Sequence, residues 1–198
     1  MRIVKIIAGG VLLAAAGTAQ AGVFANGSVS GGFGWRHLDG AQWKAFDSDS
    51  QPAFGVLADV RLGQTPLYAT LAMQLSVSDF ERRDYGVYDG TLALFDVGAG
   101  LKLMRTQGLF RPYAGIGVAS TGVGVSYEDS NHDDQDDNDQ SFGYFVSAGA
   151  QFHVMPHFLV GLDARWMLGT ETMDLDGVRD DADSFTALLT FGYAWGQP

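Results

Sequence analysis

Seven charged residues interrupt runs that are otherwise apolar or glycine-rich: Arg36, Asp59, Arg61, Asp96, Lys102, Asp163 and Arg165. Charges set in such runs have two uses. They can line a narrow path for ions, or they can pair with one another, because a charge taken out of water must be matched. Acids and bases are nearly balanced here, so a closed network of pairs is expected, with a gated ion path as the alternative.

A second concentration of chemistry is the segment YEDSNHDDQDDNDQS, which carries seven acids and no Lys or Arg. Asp133, Asp134, Asp136, Asp137 and Asp139 are its candidate metal ligands. Asp134, Asp136 and Asn138 imitate the start of a calcium loop. Asp139, however, stands where such a loop needs Gly, and Phe145 stands where it needs a bidentate Glu. The segment is therefore not an EF-hand. It reads as a solvated external loop, with loose divalent-cation binding as the alternative. The histidines are His37, His132, His153 and His157. His37 with Asp39 is the one local pairing of catalytic type, and neither G-x-S-x-G nor H-E-x-x-H accompanies it. No catalytic residue and no cofactor is assigned. The chain has no Cys, which excludes disulfides and thiol chemistry.

The interior charges need elements to position them, and the pattern around them is that of strands. In FLVGLDARWML (Phe158–Leu168), Phe158, Val160, Leu162, Ala164, Trp166 and Leu168 make an unbroken apolar row. Asp163 and Arg165 fall in the other row. Alternate side chains of a strand point to opposite faces, so one face is apolar from end to end. The same alternation recurs over residues 26–36, 52–62, 67–77, 91–103, 112–125, 144–154 and 185–195, giving eight strands. It weakens near 120–122, where a bulge is expected. Inward-facing glycines, among them Gly98, Gly100, Gly117 and Gly149, are expected to make room for the long charged side chains.

Connections between the strands alternate strictly between long polar stretches and short turns. A soluble sandwich has no reason to keep that order; a membrane barrel does. Strand lengths near the ~9–11 residues that cross a bilayer agree. Aromatics also sort to strand ends. Phe33, Trp35, Phe54, Tyr144, Trp166 and Phe185 would mark one interface, and Phe110, Phe152, Phe158, Tyr193 and Trp195 the other. The fold class expected is all-β: an eight-stranded antiparallel up-and-down transmembrane β-barrel.

The segment RPYAGIGV (111–118), the strand VGLDARW (160–166) and the aromatic final strand resemble small eight-stranded outer-membrane barrels of the OmpA/OmpX type. The resemblance covers all of residues 22–198 and implies a barrel in the outer membrane of a Gram-negative bacterium. One departure is that Gly196, Gln197 and Pro198 follow Trp195, where the family usually ends on an aromatic.

Residues 1–21 read as a secretory signal peptide. Arg2 and Lys5 precede an apolar run, and Ala19, Gln20 and Ala21 make an A-x-A cleavage site. The formal charge is −11, and removing Arg2 and Lys5 takes it to −13. An acidic chain does not suit nucleic acid, whose phosphates need a basic surface. The function expected is non-enzymatic: a structural or surface-interaction protein that works through acidic external loops. A small-solute or hydrophobic-compound channel is the first alternative, and a lipid A-modifying enzyme with residues on the rim the second. Expected partners are outer-membrane lipid, lipopolysaccharide and divalent cations, and a monomer is expected.

Overall fold

The computed structural model describes residues 25–39, 49–82, 88–128, 134–170, 173–175, 178–180 and 182–196. The predicted signal peptide lies outside these residues. Ten strands form within them: β1 (Gly27–Leu38), β2 (Ser50–Arg61), β3 (Leu67–Arg82), β4 (Tyr88–Met104), β5 (Phe110–Glu128), β6 (Asp134–His153), β7 (Phe158–Leu168), β8 (Met173–Leu175), β9 (Val178–Asp180) and β10 (Ser184–Trp195). Eight close a barrel in the order β1-β10-β7-β6-β5-β4-β3-β2, while β8 and β9 form a separate hairpin. The first and last strands meet antiparallel from Gly27↔Trp195 to Leu38↔Ser184. That ladder pairs the backbone groups an open sheet would leave bare, as a hydrocarbon surround requires.

The faces are inverted relative to a soluble protein. Along β7, Leu159, Asp163, Arg165 and Met167 are buried, while Phe158, Leu162, Trp166 and Leu168 are exposed. Ile116 is 65% exposed and Leu162 58%, whereas Arg36 and Lys102 are each 1% exposed. Large apolar side chains thus cover the outside and charges fill the inside, which suits a lipid surround. Trp166 packs on Phe185 at 4.9 Å, and Phe110 on Phe152 at 5.0 Å, at opposite ends of the apolar band.

Short turns over 62–66, 105–109 and 154–157 define one end of the barrel. Gly63 and Gly108 take positive φ of 65° and 89° there, which an L side chain rarely adopts. At the opposite end the strands are longer than the sequence pattern predicts. The polar stretch 78–90 is mostly ladder, running to Arg82↔Tyr88. The acidic stretch 127–141 is mostly ladder too: β5 and β6 stay paired to Glu128↔Asp134. The apolar row ends where the strand leaves lipid, but backbone pairing does not need apolar side chains. A third long connection holds the β8–β9 hairpin. The bulge expected near 120–122 is absent, since β5 pairs in constant register with both neighbours through that region. Ser120 and Gly122 keep the alternation; only their polarity changes.

The lipid face yields a direct test. Leu71 lies on the outward row, 42% exposed and paired with Ala58 and Ala99. Leu71→Arg should lose ~2–4 kcal/mol of stability in denaturant unfolding from liposomes. Gln74→Arg, on the inward row beside Arg36, should act through charge repulsion and packing instead.

Candidate functional site

The inward side chains fill the lumen in layers. At the end away from the short turns, Leu38, Leu92, Leu94, Val123 and Ala182 are buried together as an apolar cap. Arg36 of β1 lies next. Its Nη2 pairs with Asp96 of β4 and donates to Gln74 Oε1 at 3.2 Å; its Nη1 donates to Ser76 Oγ at 3.2 Å and its Nε to Thr186 Oγ1 at 3.3 Å. β2 and β3 stand between β1 and β4 on the near side of the barrel, so this guanidinium reaches across the lumen.

Phe145 of β6 fills the middle with Met167 and Ala119. The Arg165 guanidinium carbon sits 4.6 Å from its ring centroid, a cation–π contact. The ring lies against β4 and β5, and a Cβ on Gly117 would come within 2.5 Å of Phe145 Cε1. The glycines Gly98, Gly100 and Gly117 therefore make room for an aromatic ring. That corrects the expectation that the inward glycines make room for charged chains.

Nearer the short turns the polar groups form a chain. Lys102 Nζ lies 2.8 Å from Asp59 Oδ1 and 2.9 Å from Oδ2. It also sits 4.2 Å above the Tyr113 ring. Gln151 Nε2 donates to Asp59 Oδ2 at 3.3 Å. Tyr113 donates its hydroxyl to Asp163 Oδ1 at 2.6 Å. The second oxygen of Asp163 is 3.9 Å from Arg165 Nη2. A Cβ on Gly149 would meet Tyr113 Cζ at 2.6 Å, so glycine is what lets the phenol reach Asp163.

Six of the seven predicted interior charges thus form three acid–base pairs: Arg36 with Asp96, Lys102 with Asp59, and Arg165 with Asp163. Arg61 does not join them. It is the last residue of β2 and only half-buried, and it donates to Gln64 O and Thr65 O of the following turn, both at 2.8 Å. Residues missed from the sequence are Arg111, Tyr113, Gln74 and Gln151, all buried. The alternation carried the signal: Arg111 shares its face with Tyr113 and Gly115, and its place at the strand start hid it.

The candidate metal ligands Asp134, Asp136, Asp137 and Asp139 lie on the raised part of β6 and not on a loop; Asp133 falls outside the described residues. Among the described residues no group of three or more His, Cys, Asp or Glu gathers to hold a metal ion. His37 Nδ1 lies 3.8 Å from Asp49 Oδ2, because the β1–β2 ladder brings Ser50 opposite it. His157 Nδ1 is 3.0 Å from Ala194 O, and its ring stacks on Tyr193. His153 is buried in the short-turn mouth. His132 is outside the described residues.

A family model described as the outer membrane protein beta-barrel domain matches residues 6–194. The chain belongs to this outer-membrane β-barrel family. The short-turn end is thereby the periplasmic end and the raised strands are external, as in such barrels. Solved structures with the same fold include OprG from Pseudomonas aeruginosa, 16% identical, covering 88% of this chain and 98% of that one, with a TM-score of 0.62. Ail, the attachment invasion locus protein of Yersinia pestis, is 17% identical over 86% of this chain and 99% of that one, with a TM-score of 0.59. Neisserial surface protein A is 14% identical over 88% and 98%, at 0.56. At these identities the likeness concerns the fold alone. None of the curated proteins matches the sequence.

The lumen pairs generate a second test. Asp96→Ala leaves Arg36 buried without its carboxylate and should cost ~3–5 kcal/mol in equilibrium unfolding. The double change Arg36→Met with Asp96→Leu removes both charges and should recover most of that loss. Equal stabilities for the single and double variants would show that the pair does not tie the barrel.

Proposed function

We propose that this is a non-enzymatic outer-membrane protein that acts through the sheet it raises on the external side. The observation that carries this reading is an asymmetry of strand length. β3, β4, β5 and β6 have 16, 17, 19 and 20 residues, whereas β1, β2, β7 and β10 have 12, 12, 11 and 12. The ladder between β6 and β7 stops at Tyr144↔Leu168, yet β6 continues to Asp134 on its other side. Half the barrel wall therefore stands above the rest and offers a surface to partners. The lumen contributes little to such a role, because the Arg36–Asp96 tie and the apolar cap oppose a continuous water path. That is why surface interaction is preferred to a solute channel.

Charge selects the partner. The raised part of β6 carries Asp134, Asp136, Asp137 and Asp139 with no base up to residue 143. The Ail structure was solved in complex with the heparin analogue sucrose octasulfate. A polyanion of that kind suits an acidic sheet poorly; a cationic segment of another protein suits it well. Divalent cations are proposed to bridge the same acids to lipopolysaccharide phosphates, since carboxylate oxygens suit hard ions. Export through the periplasm after removal of residues 1–21, and a monomeric state, complete the proposal.

Binding of an oligolysine peptide to the protein in detergent, measured by interferometry, tests it. Wild type should bind oligolysine and not heparin. Asn at Asp134, Asp136, Asp137 and Asp139 should weaken oligolysine binding by about tenfold, since exposed pairs contribute ~0.2–1 kcal/mol each. Equal affinities would overturn the surface reading, and stable nanosiemens-scale openings in planar bilayers would favour a channel.

A further inference from the structure

At the periplasmic mouth of the lumen, below the last ion pair, a recess is walled by Arg61 of β2, Tyr68 of β3, Arg111 of β5, and Gln151 and His153 of β6, with Trp195 at its rim. Three of these side chains can carry positive charge, and no carboxylate lines the recess among the described residues. The nearest acid on this face, Asp59, is held deeper by Lys102 and Gln151. Both arginines have donors to spare. Arg61 is fixed by two turn carbonyls through Nε and Nη2. Arg111 is fixed by Gly108 O through Nε at 3.2 Å, and its two terminal nitrogens have no hydrogen-bond partner among the described residues. A guanidinium offers five donors in a planar fork.

A second observation comes from the histidine. His153 is only 9% exposed, yet its Nε2 is buried with no hydrogen-bond partner among the described residues. Its backbone N–H is occupied by Leu109 O. A buried polar atom left without a partner is costly and calls for an explanation. Three elements, β2, β5 and β6, thus bring unspent donors to one small space at the periplasmic mouth.

We propose that this recess is a binding site for a phosphate group, either free phosphate or a phosphomonoester from the periplasm, or the headgroup of an anionic lipid. Two guanidiniums match the spread oxygens of phosphate, and charge-assisted hydrogen bonds of this type are the strong ones. His153 completes the site by donating from Nε2, and Arg61 and Arg111 supply the charge. The site is independent of the external sheet, which lies at the other end of the barrel.

The test uses full-length mature protein with labelled histidine in a phosphate-free amine-oxide detergent. Inorganic phosphate is titrated while the imidazole resonances are followed by NMR. Phosphate should shift the His153 signals saturably, while chloride at matched ionic strength should not. Arg111→Gln should raise the dissociation constant by about tenfold or more. Should that variant fail to fold, Arg61→Gln, at a half-exposed position, should raise it in the same direction. Nanodiscs settle the source: the shift appearing with phosphatidylglycerol and no added phosphate assigns the group to a lipid headgroup, and its appearance only with inorganic phosphate assigns a free anion. Shifts of equal size from phosphate and chloride, or no saturable shift from either source, would overturn the proposal and leave the recess as a solvent-filled mouth.

Discussion

The constraint on which the rest of this structure depends is that backbone polar groups inside hydrocarbon have no water to bond. A strand in that surround must be paired on both sides, so the sheet closes on itself. The β1–β10 ladder is that closure, and it spans the full length of both strands. Once it forms, each strand has one face in lipid and one in a lumen just wide enough for side chains to fill. The six charges deepest in that lumen are then buried, and each meets its opposite within a few ångströms, while Arg111 at the mouth is held by a backbone carbonyl instead. The pairs Arg36–Asp96, Lys102–Asp59 and Arg165–Asp163 follow from closure.

Filling so narrow a lumen is a problem of volume as well as charge. Phe145, Tyr113 and three long basic side chains share it. The barrel makes room by thinning its own wall: Gly98, Gly100 and Gly117 lie under the Phe145 ring, and Gly149 under the Tyr113 hydroxyl. The aromatic rings in turn cover the cations, with Lys102 over Tyr113 and Arg165 over Phe145. Small residues on the wall and large ones in the centre are therefore one device, and a methyl added at Gly117 would displace the ring that Arg165 rests on.

How much of this was legible in the sequence depends on where the apolar row carries information. Across the membrane, period-two alternation located all eight strands of the barrel and put Arg36, Asp59, Asp96, Lys102, Asp163 and Arg165 on the inward face. Above the membrane the signal vanishes, because the apolar row ends there while backbone pairing continues without it. Hence the ladder through Asp134–Asp139 reads as loop in the sequence and is strand in the structure. Partner choice was equally hidden. Which acid meets which base depends on barrel geometry across several strands, and Tyr113, the residue that joins Lys102 to Asp163, carries no charge to announce it. Arg61 failed for the opposite reason: its alternation is right, but it stands one step past the lumen, where turn carbonyls are closer than any acid.

The two ends of the barrel are chemically opposite, and the ties between them keep them so. The raised part of β6 carries Asp134, Asp136, Asp137 and Asp139; the periplasmic mouth is lined by Arg61, Arg111 and His153, with no carboxylate among its described lining residues. If the lumen were an open path, these fields would act on one permeant ion, attracting a cation at one end and repelling it at the other. The apolar cap of Leu38, Leu92, Leu94, Val123 and Ala182 and the Arg36 crossing separate them instead. Groups that share no partners and lie far apart act additively. The two ends therefore differ in charge, with the apolar cap and three acid–base pairs lying between them.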